Sequence, residues 1–94
     1  MSPYILTLTL PQRVTQTETE LVLALLEREV ALHPTAGIVL DAAALTVFDS
    51  SALALLLSLR RRQTSQGRVL RVSGWPQRLA QLATLYGVRD LLPH

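Results

Sequence analysis

Apolar and polar residues alternate through residues 5–10, "ILTLTL": Leu6, Leu8 and Leu10 face one way, and Ile5, Thr7 and Thr9 the other. This is the period of a strand with one better-buried face, and Pro11 ends it. The period then changes. The stretch "TETE", residues 17–20, has the form of a capping box, with Thr17 accepting from the backbone and Glu20 reaching back. Behind it, Leu21, Val22, Leu25, Leu26 and Glu29 or Val30 recur at steps of three and four, predicting a helix that Pro34 stops. "GIVLD", Gly37–Asp41, is a short apolar run with β-branched residues, and predicts a central strand buried on both faces. "AAAL" follows as a turn or short helical connection. Residues 51–66 are helical in pattern, with Leu53, Leu56, Leu57 and Arg60 on one face, Leu55 and Leu59 beside them, and Gly67 as the natural C-terminal cap. The first half of that helix is apolar almost all round, so it is deeply packed or faces a partner. Residues 68–72, "RVLRV", predict another strand, and "SGWPQ" a turn with Pro76 at the first helical position. Leu79, Leu82, Ala83 and Tyr86 form a third helical stripe, closed by Gly87 and followed by a short tail, "VRDLLPH".

Strand and helix thus alternate three times. That order predicts an α/β fold: a small, mostly parallel or mixed sheet with helices packed on it. At 94 residues the chain makes one domain, residues 1–94, and its 49% hydrophobic content supplies a packed core. The lack of cysteine excludes disulfides and thiolate metal sites. The longest purely apolar run, residues 52–57, is far short of a membrane span, and the start lacks the basic region of a signal peptide. The expected location is the cytoplasm. Net charge is +2, every basic residue is arginine, and the single basic run, Arg60, Arg61 and Arg62, has no interleaved aromatic residue. No nucleic-acid partner is expected from such a pattern. Near a helix C terminus the arginines are favoured by the dipole as a solvated surface; contact with lipid headgroups or an acidic partner is the alternative reading.

Candidate chemistry concentrates in "TVFDSSALA", residues 46–54. Asp49 or Ser50 would cap the helix by accepting a backbone N–H, with Ser51 in the first turn. A serine hydroxyl at an exposed helix N terminus is also a place for phosphorylation. The helix dipole and free N–H groups tolerate the added charge, while a partner docked there does not. Such a residue is a switch and not a catalyst. A hydrolase would need a base: His33 precedes a proline, His94 is terminal, and "FDSSA" is not a nucleophile elbow. No catalytic residue is therefore expected. No His, Cys or carboxylate cluster has metal-ligand spacing, and the four glycines are scattered singly, so neither a metal nor a cofactor is expected. Trp75 and Tyr86 bracket the last helix; core packing or an anchor at the rim of an interface both fit, with core packing favoured.

The stretch "IVLDAAALTVFDSSALALLLSLRRRQTSQGRVLRVSG" resembles the STAS domain, the fold of anti-sigma-factor antagonists. The family pattern is a buried strand ending in Asp, a short connection, Asp-Ser/Thr-x-Gly-Leu opening a helix, then Gly and a strand. Here Asp41 ends the strand, Asp49, Ser50, Ser51, Ala52 and Leu53 form the motif with Ala52 at the glycine position, and Gly67 follows. Residues 11–14, "PQRV", stand where the family has a "GELD"-like stretch. The resemblance covers residues 37–92 and, less closely, residues 5–30. It implies that Asp49, Ser50, Ser51, Ala52 and Leu53 form a partner-binding or phospho-switch site, with Ser50 the partner-facing or phosphorylated hydroxyl. The ending, "LAQLATLYGVRDLLPH", is similar to that of the STAS subunits of Mla phospholipid transporters, in Leu82, Ala83, Leu85, Tyr86, Leu92 and Pro93. This likeness implies a non-catalytic cytoplasmic accessory subunit, peripheral to the inner membrane and not inserted in it. It would bind and regulate the ATPase subunit of an ABC transporter that maintains outer-membrane lipid asymmetry in Gram-negative bacteria. The alternative is an anti-sigma-factor antagonist switched by phosphorylation of Ser50.

Overall fold

Two crossovers in the same direction decide the architecture. In the computed structural model, which describes residues 4–92, the elements run β1 (Ile5–Thr9), β2 (Arg13–Val14), α1 (Thr19–Ala31), β3 (Gly37–Asp41), β4 (Val47–Phe48), α2 (Ser50–Ser65), β5 (Leu70–Ser73) and α3 (Gln77–Leu85), closing on a 3₁₀ turn at Arg89–Leu91. The main sheet has the order β1-β3-β5 and is parallel throughout. A right-handed step from β1 to β3, repeated from β3 to β5, carries α1 and α2 to the same face of the sheet. There α1 packs on α2, and α2 on α3 and β5. The expected α/β fold, a mostly parallel sheet with helices packed on it, is what forms, and it has two layers.

One expectation for β3 is overturned by this topology. Ile38 and Leu40 are buried under the helices, whereas Gly37, Val39 and Asp41 are only half-buried. On that second face Val39 lies in register between Thr7 and Arg71. Ile5 and Val69 on the outer strands are 56% and 57% exposed. With no helix on that side, the central strand is buried on one face and not on two. The other strands follow the period-two pattern: Leu8, Leu10, Leu70 and Val72 all join the core.

A second, two-stranded parallel sheet pairs β2 with β4, Arg13 opposite Val47 and Val14 opposite Phe48. Gln12 leads into it, its carbonyl accepting from the N–H groups of Thr46 and Val47 at 2.9 and 3.0 Å. Val14, the lone apolar residue of a polar stretch, is fully buried and anchors the ladder.

The hydrogen bonds of the kind "TETE" suggests lie two residues earlier, in the turn ahead of α1, and Glu18, the N-cap of the helix itself, makes no side-chain cap bond. The Glu18 carboxylate accepts from the Thr15 N–H at 2.8 Å and the Thr15 hydroxyl at 2.7 Å, and the Thr15 Oγ1 accepts from the Thr17 N–H at 3.3 Å. This is the reciprocal pattern of a capping box, set on Thr15 and Glu18. Those two hydrogen bonds to Thr15 hold the Glu18 carboxyl below the usual carboxylate range. The buried stripe of α1 is also turned: Leu26 and Val30 are buried and Val22 and Leu23 lean on the core, while Leu21 and Leu25 are exposed.

Helix α2 is the centre of the core. Leu53, Leu55, Leu56 and Leu59 are buried along it, with Leu57 and Arg60 at the margin. Gly67, at φ 72°, closes the helix. Its N–H donates to the Thr64 carbonyl at 3.0 Å and that of Arg68 to the Gln63 carbonyl at 2.8 Å, the double bond pattern of a Schellman cap. The Gln63 side chain is an oddity in this core. It is 3% exposed, and its Oε1 is buried with no hydrogen-bond partner. An unsatisfied buried acceptor costs about 1–3 kcal/mol. Gln63→Met, close in shape and without the acceptor, is therefore expected to raise stability by about 1 kcal/mol, read as a higher thermal midpoint.

The tail is part of the core, since Leu92 is fully buried behind the 3₁₀ turn. Tyr86 is not: it caps α3 at its C terminus and is 58% exposed, so the buried stripe of that helix is Leu79 and Ala83 with Leu82 half-buried. Trp75 leans on the core as expected. His33 stacks on Tyr4, ring centroids 5.7 Å apart; His94, like Pro93, lies outside the described residues.

Candidate functional site

Asp49 is the N-cap of α2, in extended backbone conformation with φ −131° and ψ −166°. Its Oδ1 accepts from the Ser51 N–H at 2.8 Å. Its Oδ2 accepts from the Gln16 N–H at 3.2 Å, in the turn that opens α1. One carboxylate thus caps one helix and ties down the approach to another. The N–H of Ser51, helped by that of Gln16, holds the Asp49 carboxyl below its ordinary value of 3.8. A depressed folded-state pKa means stability that is present above the unfolded value and lost as pH falls through the folded one. Asp49→Ala is therefore expected to lower the thermal midpoint by about 5 °C at neutral pH. The gap to wild type should close as the pH drops below about 4, in melts followed by circular dichroism.

Ser50 is the first residue inside the helix. It is exposed, and its hydroxyl takes no part in the hydrogen bonds that hold the turn. Since Asp49 is the cap, Ser50 is free of that role and Ser50→Ala removes no capping bond. Ser51 is half-buried, and Ala52 and Leu53 are 1% and 3% exposed. Of the five motif residues, then, Asp49 and Ser50 are the exposed ones. Ala52 and Leu53 belong to the core, although Leu53 forms part of the floor of an adjoining groove.

That groove, of about 380 Å³, runs beside Ser50 and is lined by Ser50, Leu53, Ala54, Leu57 and Tyr86. Its aromatic wall is open to solvent, with Tyr86 58% exposed, and the preceding residue, Leu85, is 77% exposed. On the other side of the helix start, Val47 is 43% exposed and the Arg78 guanidinium lies 5.6 Å from the centroid of the Phe48 ring. An exposed hydroxyl at a helix N terminus next to an open apolar trough is suited to docking. The trough contains no candidate base for Ser50.

A family model described as "Mlab, STAS domain" matches residues 6–93 of the chain. The chain belongs to the STAS domain family. No curated protein matches it. The match runs through every element of this STAS domain, from β1 to the 3₁₀ turn. It includes residues 11–14, where the sequence departs from the family's usual stretch. That segment helps to build the site: β2 pairs with β4 directly before Asp49, and Gln16, just beyond it, donates to Asp49. Sequence spacing alone does not bring residues 12–16 to residues 46–49. The one signal was Val14, an isolated apolar residue in a polar segment. For Tyr86 the sequence favours core over a rim anchor, because its helical phase is that of Leu79 and Ala83; the exposed position is that of the rim. The helix ends at Leu85, and the side chain falls outside. No helix among the described residues is long and apolar enough to cross a membrane.

Proposed function

We propose that this STAS domain is a non-catalytic accessory subunit that binds and regulates the ATPase of an ABC transporter for phospholipids, from the cytoplasmic side of the inner membrane. The observation that carries the reading is the juxtaposition at the start of α2. Ser50 stands exposed beside the Ala54–Leu57–Tyr86 trough, in a chain whose family model is described by the Mlab name. The trough would receive apolar side chains of the ATPase, and Ser50 would sit against its backbone or a polar group at the rim. Co-purification with a candidate ABC-transporter ATPase from the same organism tests the reading. A complex that survives size exclusion is expected, and failure to form one would end it.

A second reading is favoured by one feature, the exposed and unbonded Ser50 hydroxyl at a helix N terminus. Phosphorylation there would leave the helix intact and place two negative charges at the mouth of the trough. In that case the domain is an anti-sigma-factor antagonist released by its kinase. Intact mass after incubation with such a kinase separates the two readings: an added phosphate mapped to Ser50 supports the antagonist.

A further inference from the structure

Charge is sharply divided along this chain. Residues 50–89 contain seven arginines and no acidic residue, whereas residues 1–49 contain six acidic residues and two arginines. The sheet order carries this division into space, because β1 and β5 are opposite edges, with α1 following the first and α2 preceding the second. At the β5 edge a shallow hollow of about 360 Å³ is bounded by Arg60 and Thr64 of α2, by Arg68 and Val69, and by Asp90 and Leu91 of the 3₁₀ turn. Two of its walls are exposed aliphatic side chains, Val69 at 57% and Leu91 at 40%. Arg71 is exposed on the uncovered face of the sheet, sharing a second shallow depression with Val69.

Not every arginine here is available. Arg62 is paired with Glu27 at 3.0 Å, and Arg68 donates to the carbonyls of His33 and Ala36 at the end of α1. Arg60, Arg61, Arg71 and Arg89 have no ion-pair partner among the described residues. The single acidic group at the hollow, Asp90, also lies beyond ion-pair distance of any arginine described.

We propose that the β5 edge is a docking surface for an anionic membrane, with Arg60 and Arg71 contacting headgroup phosphates and Val69 and Leu91 entering the interface. A membrane fits this surface better than an acidic protein does. The unpaired arginines come from separate elements, Arg60 of α2 beside the open, shallow hollow and Arg71 of β5 on the adjoining sheet face, and do not form one enclosed side-chain pocket. A headgroup layer asks only for a net positive field and a few aliphatic contacts. Glu20 and Glu29 of α1 add orientation, since they are repelled by the same membrane. The proposal does not depend on the ATPase reading. Ser50 opens α2 and the hollow adjoins its other end, so across 16 residues the two sites are separated by roughly 20 Å.

Co-sedimentation of the purified chain with vesicles tests the assignment, using phosphatidylcholine alone and phosphatidylcholine mixed with phosphatidylglycerol. Partition into the mixed vesicles only, weakening as salt is raised, is the expected result. Arg60→Gln and Arg71→Gln should each lower the partition coefficient about fivefold, and Asp90→Asn should raise it, with circular-dichroism melts unchanged in all three. Equal partition into both vesicles, no partition at low salt, or variants indistinguishable from wild type would overturn the proposal. So would retention on immobilised polyglutamate without vesicle binding, which would assign the edge to an acidic protein.

Discussion

Leu56→Ala is expected to cost about 2–5 kcal/mol of folding stability. Leu56 is fully buried at the middle of α2, between the sheet and the flanking helices, and belongs to the single core cluster. Removing its isobutyl group leaves a cavity that a close-packed interior fills only in part. A domain of this length has a total stability of about 5–14 kcal/mol. The substitution therefore takes between about a seventh of it and all of it. Chemical denaturation should show the midpoint falling with the slope of the transition preserved. A loss below about 1 kcal/mol would mean that the inner face of α2 is not packed as described.

Ser50→Glu is expected to weaken ATPase binding at least tenfold while leaving the thermal midpoint unchanged or slightly raised. The two effects have different origins. A carboxylate in the first turn of a helix is favoured by the dipole, so the fold tolerates it. At an interface the same charge is stripped of water against apolar neighbours, and an unpaired buried charge is costly. Tyr86→Ala is the companion variant, because Tyr86 is the exposed aromatic wall of the trough and such residues dominate binding energy. It should also lower affinity about tenfold with little change in melting. Affinities from calorimetry, set beside melts of the same samples, give the comparison. Binding by Ser50→Glu as tight as wild type would remove Ser50 from the interface.

The alternating and three-to-four periods identified the strands of the main sheet and all three helices, because each of these elements has one face that must be dry. The errors fall where a pattern has two solutions. "GIVLD" is equally a strand buried twice and a strand whose open face carries Gly37 and Val39; only the direction of the crossovers decides. In α1, apolar residues surround much of the helix, so Leu21 and Leu25 were as eligible for the core as Leu26 and Val30. The capping box slipped by two because Thr15, Thr17 and Thr19 offer the same hydroxyl, and tertiary contacts with β4 and Asp49 select the first. Of the site itself, Asp49 and Ser50 were legible from helix-start chemistry. The trough was not, since it depends on where α3 stops, and the β2–β4 ladder was not, since two-residue strands carry no period.

The two oxygens of Asp49 restrict what can replace it. Serine or threonine would serve the helix as well, but a hydroxyl has a single oxygen and could not hold Ser51 and Gln16 at once in this geometry. Position 49 therefore answers to two segments far apart in the chain. A sequence drifting to another good cap would keep α2 and slacken the turn before α1. Here the aspartate is a bridge as much as a cap.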